Sequence, residues 1–223
     1  MPLKLDREPI TPELIALAER MGDRLAEHRL LSPTWKTDHG FTMFFSELIP
    51  FYPGARRLIF PIARARPGQL QERVVVEHQD YLYIMAGGLE PLVRANEAVP
   101  LTLSTSNVLD YVRFYLEHVT DKAGGIRLAE QASDIPWREE EGAYQAPQVN
   151  PLVRPLSLID TDDDGYLVIG TGLYQDALFR ATFRIGFDGM LEIADEEQIA
   201  GDLRLREDPM VAGMPIDFAL SSA

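Results

Sequence analysis

Residues 177–187, ALFRATFRIGF, constrain the fold more than any other stretch of the chain. Phe179, Ala181, Phe183, Ile185 and Phe187 fall on one side of an extended backbone, and Arg180, Thr182 and Arg184 on the other. Strict alternation of this kind has the period of a strand and not of a helix. One strand with an apolar face cannot stand alone; it needs strand partners and a cover. The partners are at hand. YLVIGTGLY (166–174) precedes it across Gln175-Asp176, and MLEIAD (190–195) follows Asp188-Gly189. Asp-Gly is favoured in two-residue hairpin turns. The reading is an antiparallel meander in the C-terminal half.

The cover is a helix at 107–119. Val108, Leu109, Val112, Tyr115, Leu116 and Val119 make a broad apolar stripe, and Gly124-Gly125 stops it. Asn107 with Asp110 three residues on predicts a capping box. A second amphipathic helix is predicted at 12–29, with Thr11 as N-cap and Pro12 in the first helical position. Strands are predicted at 58–63, confined to an edge or an end by Pro61, and at 73–78 and 81–87, joined as a hairpin through Gln79-Asp80. A further strand is read at 100–105 after a polar connection, and a short one at 125–130. Segment 131–151 reads as a long surface loop. The whole is predicted as a single α+β domain over 1–223: a helical and irregular part, 1–70, packed on a sheet part, 71–205, with a loose tail at 206–223. A helix laid across an antiparallel meander looks like the cystatin-like or NTF2-like architecture, an analogy of fold that carries no function.

Composition removes several classes of function. There is no Cys, so disulfides, thiol nucleophiles and thiolate metal sites are excluded. No apolar run reaches the length of about 18 residues that a membrane helix requires. The N-terminus lacks the apolar core of a signal peptide, and Arg far outnumbers Lys; the expectation is a cytoplasmic bacterial protein. The net charge is −14, and residues 101–223 carry nearly all of it. So acidic a surface repels phosphate backbones and anionic lipid, which argues against nucleic acid and membrane as partners. Arg56, Arg57, Arg64, Arg66 and Arg73 form the basic exception. They are expected to pair with the acidic half, within the chain or across a dimer, the other reading being a site for an anion or an acidic partner.

DTDDDGYL (160–167) is the one stretch with the look of a metal site. It resembles the first eight positions of an EF-hand calcium loop. Asp160, Asp162 and Asp164 would supply side-chain oxygens, Tyr166 a backbone carbonyl, and Gly165 the sharp turn. Thr171 stands where that family has its closing Glu, and both flanks read as strands. The competing reading is a hairpin tip whose Asp side chains bond to turn amides.

Other site signals are weak. His28, His39, His78 and His118 lack metal-ligand spacing. There is no nucleophile elbow and no phosphate loop, and GTG (170–172) lies inside a strand. The favoured reading is therefore a non-enzymatic interaction or accessory protein, with an unidentified protein partner or self-association and no cofactor. One alternative is a small-molecule binder or enzyme with a pocket between the sheet and helix 107–119, where Asp110, Glu117 and His118 are the groups to inspect. The second alternative is a domain stabilised by calcium at the acidic turn.

Overall fold

The structure, a computed structural model, describes residues 5–28, 30–31, 34, 44–63, 70–85, 87–120, 125–138 and 142–206. It is an α+β protein with two antiparallel sheets. The contacts divide the chain into two compact units, Lys4–Ala86 with Glu90–Thr102, and Met1–Leu3, Gly87–Leu89 and Leu103–Ala223. Each unit holds one sheet. Among the described residues no helix is long and apolar enough to cross a membrane.

The first unit opens with α1 (Pro12–Glu27), where Thr11 Oγ1 accepts the Leu14 amide at 3.2 Å as the N-cap. Its sheet runs in the order β1-β2-β3-β4, formed by Phe45–Leu48, Arg56–Ala63, Leu70–His78 and Tyr81–Ile84. Leu14, Ala18, Met21 and Leu25 of α1 form a core with Leu58, Phe60 and Val75. The β3–β4 hairpin closes through Gln79 and Asp80, both with positive φ (50° and 67°), the backbone of a two-residue primed turn. Pro61 sits inside β2, which has neighbours on both sides. Among the described residues β1 reaches only as far as Ile59, so there Pro61 has β3 as its one strand partner.

Two expectations fail in this unit. The connection after 87 is a helix, α2 (Glu90–Ala98), with Leu92 and Ala95 buried and Arg94 bonded to Glu90 one turn back at 2.5 Å. Residues 101–104 form no strand; Thr102 bonds to the Phe51 carbonyl at 2.9 Å instead. One helix turn of apolar spacing is short enough to be read as polar connection, and a Leu-Thr-Leu triplet mimics a strand.

The second unit begins with α3 (Val108–His118). Its sheet has the order β5-β7-β8-β9, from Arg127–Leu128, Gly165–Tyr174, Ala177–Gly186 and Leu191–Ala200, with β6 (Ser157–Asp162) also paired to β7. The α3 cover over the meander is present. Tyr111 donates its hydroxyl to the Gly189 carbonyl at 2.7 Å, and the Tyr115 hydroxyl meets the Leu191 backbone. Tyr111, Val112, Phe114, Val168, Phe183 and Ile185 are all fully buried. The predicted capping box at Asn107 is absent: Asn107 Oδ1 accepts the Ser104 amide at 2.8 Å, and Asp110 pairs with Arg113.

The predicted face also loses its last member. β8 stops at Gly186, and the turn is built on Phe187-Asp188, with Gly189 (φ 81°) supplying the left-handed residue. Phe187 therefore lies at the hairpin tip, 52% exposed, its ring edge-on to Tyr166 at 5.5 Å. Segment 131–151 is more regular than a loop, since it contains α4 (Gly142–Val149). Val149, Val153, Ile135 and Leu203 bury Leu173 and Leu178 at one end of the sheet.

Candidate functional site

The acidic turn is a hairpin corner in this structure. β6 ends at Asp162 and β7 starts at Gly165. Asp162 Oδ1 accepts the amides of Asp164 at 3.0 Å and Gly165 at 3.1 Å, and both its oxygens reach Arg184 Nη1 at 3.1 and 2.9 Å. The Arg184 hydrogen bond and the turn amides hold the Asp162 carboxyl below the usual range. Asp160 Oδ1 accepts the Thr161 amide at 2.8 Å. Tyr166 is buried, and Thr171, the twelfth position of the resemblance, is buried and accepts the Arg154 amide at 2.9 Å. Gly165 has a reason of its own: at φ 151° an added Cβ would stand 2.0 Å from the Ile185 carbonyl oxygen. Among the described residues no group of three or more His, Asp or Glu side chains is placed to hold a metal ion. The expected result is an unfolding midpoint that does not move between calcium and chelator. A bound calcium at 100 times its dissociation constant would raise it by about 5 °C or more.

The outer face of the five-stranded sheet, away from α3, carries a row of charged side chains. Register places Arg180 opposite Glu197 and Arg184 opposite Glu192, so two arginines of β8 stand beside acids of β9. Arg180 Nη1 lies 3.4 Å from Glu197 Oε2. β9 lies at the end of the sheet order, and among the described residues its far edge has no strand partner. All of Glu192–Gln198 is exposed, including Ile193 at 44%. The strand carries Glu192, Asp195, Glu196 and Glu197 and no basic residue. Its pairing with β8 is broken by two register shifts, which skip Ala194 and Ile199. Sequence reading ended this strand at 195 and missed its length, because DEEQ in the middle carries no alternation.

Beside the arginines the sheet opens into a cleft of about 310 Å³ lined by Arg154, Pro155, Ser157, Ile169, Gly170 and Arg180. It lies where the buried end of the outer face gives way to the open end. The cleft faces away from the helix named in the sequence reading.

The structure places the three helix groups named from the sequence as follows. Asp110 bonds to Arg113 at 2.8 Å, Glu117 is exposed, and the His118 ring packs edge-on to Phe114 at 4.6 Å. Arg113 also forks onto Glu130, with Nε to Oε2 at 2.9 Å and Nη2 to Oε1 at 2.8 Å.

In the first unit, among the described residues, Arg56 and Arg57 have acids of the same unit beside them. Arg57 reaches Glu47 at 3.2 Å with both side chains buried, and Arg56 lies 3.7 Å from Glu8 and from Glu77. Arg73 is partly buried, which pushes its guanidinium down from the ordinary value. His28 is exposed at the end of α1 and His78 is buried at the end of β3. His39, Trp35, Arg64, Arg66 and the tail beyond Arg206 lie outside the described residues.

Comparison of the chain with protein-family models, with curated proteins and with solved structures finds no match.

Proposed function

We propose that this is a non-enzymatic interaction protein that takes an extended, basic segment of a partner protein onto the open edge of β9. The supporting observation is the strand itself: ten residues, at the end of its sheet, exposed along nearly all of its length. An open edge offers a row of backbone donors and acceptors, and an added strand satisfies them while side chains set the specificity. Four carboxylates with no basic neighbour on the strand select a lysine- or arginine-bearing segment. They also decide against the same edge joining two copies of the chain, since antiparallel pairing of β9 with itself would set acid against acid. The acidic balance and the bias of Arg over Lys fit a protein of the bacterial cytoplasm.

The test is a fluorescence anisotropy titration with a peptide as long as β9 that alternates lysine and valine, beside a glutamate–valine peptide. The lysine peptide should bind, more weakly as salt rises, and the glutamate peptide should not. Ala194→Pro puts a proline into β9 at a residue that β8 does not pair, and should reduce binding with the fold retained. Equal binding of both peptides, or full binding to A194P, would reject the reading.

A further inference from the structure

The cleft on the outer face points to a second site, for a small ligand. We infer that it binds a small organic monoanion, a carboxylate with a short apolar body, held between Arg154 and Arg180. This rests on the cleft alone and is independent of the β9 edge reading.

The first observation is charge. Residues 101–223 hold nearly all of the chain's excess of acids, yet the six residues lining the cleft include two arginines and no acid. Two arginines side by side in so negative a surface are a local exception that attracts anions.

The second observation is unspent donors. Arg154 is pinned through one nitrogen: Nη1 donates to the carbonyls of Pro151 at 2.7 Å and Val153 at 2.8 Å. Its Nε and Nη2 make no hydrogen bond among the described residues, and neither does the Ser157 hydroxyl. Arg180 has one long contact, to Glu197 at 3.4 Å. A guanidinium offers five N–H donors in a planar fork that fits a carboxylate in two-point fashion.

The third observation is that the rim is fixed before any ligand arrives. The Arg154 amide donates to buried Thr171 Oγ1 at 2.9 Å, and the Leu156 amide donates to Glu130 Oε1 at 3.2 Å. An added Cβ on Gly170 would fall 2.5 Å from the Leu156 side chain, so glycine at this position lets the rim sit close against β7. A fixed rim lowers the ordering cost of binding.

The rest of the lining selects the class of anion. Exposed Pro155 and half-buried Ile169 give the lining its apolar part, and the volume of about 310 Å³ suits a small molecule. Glu197 beside Arg180 and the acids of β9 disfavour a second negative charge, which ranks a carboxylate above a phosphate dianion. On binding, the carboxylate takes the place of Glu197 at Arg180.

The test is a titration of the whole chain with butyrate, followed by amide ¹H–¹⁵N shifts, with 1-butanol and inorganic phosphate as comparison probes. Butyrate should give saturable shifts at Ser157, Ile169 and Gly170, and butanol none. Arg180→Gln, at a half-exposed position, should weaken butyrate about tenfold, the loss of one charged hydrogen-bonded contact. Glu197→Gln should tighten it about threefold by removing the competitor. The inference is overturned if butyrate shifts do not saturate, if butanol reproduces them, if only phosphate saturates, or if R180Q binds butyrate as tightly as the parent.

Discussion

Phe183→Ala lowers the unfolding free energy by about 4 kcal/mol, the cost of emptying a fully enclosed aromatic site. The ring is at 0% exposure in the centre of β8, paired with Val168 on β7 and Ile193 on β9. The α3 residues Tyr111, Val112 and Phe114 are just as enclosed, so the surroundings are close-packed on the helix side and cannot collapse freely into the void. Phe187→Ala removes the same side chain four residues on and costs far less, about 1 kcal/mol, because that ring is half in water and touches one edge of Tyr166. Urea unfolding of the two variants side by side reads the difference. Equal losses would mean that the ring of Phe187 is as enclosed as that of Phe183, and the turn described above would be wrong.

Glu130→Gln costs about 3 kcal/mol at neutral pH and makes stability less sensitive to acid. The Glu130 side chain is 6% exposed and receives the Arg113 fork on one side and the Leu156 amide on the other. Burial pushes its carboxyl up, but the Arg113 hydrogen bonds and charge, with the Leu156 amide, outweigh burial and hold it below the ordinary value. A carboxyl whose folded value is lowered contributes stability that is fully present above its unfolded value, about 4.3 for glutamate, and lost as pH falls through the lower folded value. The gap in urea midpoint between parent and E130Q should therefore be constant from neutral pH down to about pH 5 and shrink below about pH 4. A gap that stays constant or widens in acid would show that the carboxylate charge does not carry this contact.

The legible parts of the chain were those with a strong period. The β8 alternation, the apolar stripe of α3 and the Thr11-Pro12 start of α1 each predicted an element that is present. Punctuation was less reliable. Asp188-Gly189 suggested a two-residue turn, but Gly189 takes the left-handed position after a turn on Phe187-Asp188, and one residue of slip moved a phenylalanine from core to surface. α2 went unread because its buried face is only Leu92 and Ala95. The site was hardest to see. Arg154 and Arg180 come from a loop and a strand 26 residues apart, and no spacing rule joins them. The β9 edge was hidden for a different reason. A strand exposed on both sides needs no alternation, so its acids read as a polar stretch. The Asp run was conspicuous in sequence because turn geometry, a requirement for glycine and pairing to Arg184 all draw on the same short stretch.

The measurement that bears most directly on the β9 account is hydrogen exchange at the amides of Leu191–Ala200, with and without the lysine–valine peptide. In the free protein the amides that point away from β8 should exchange quickly and their alternate neighbours slowly; with peptide, the fast set should become protected while α1 is unchanged. Slow exchange along both sides of β9 before any peptide is added, or fast exchange that the peptide leaves untouched, would contradict it.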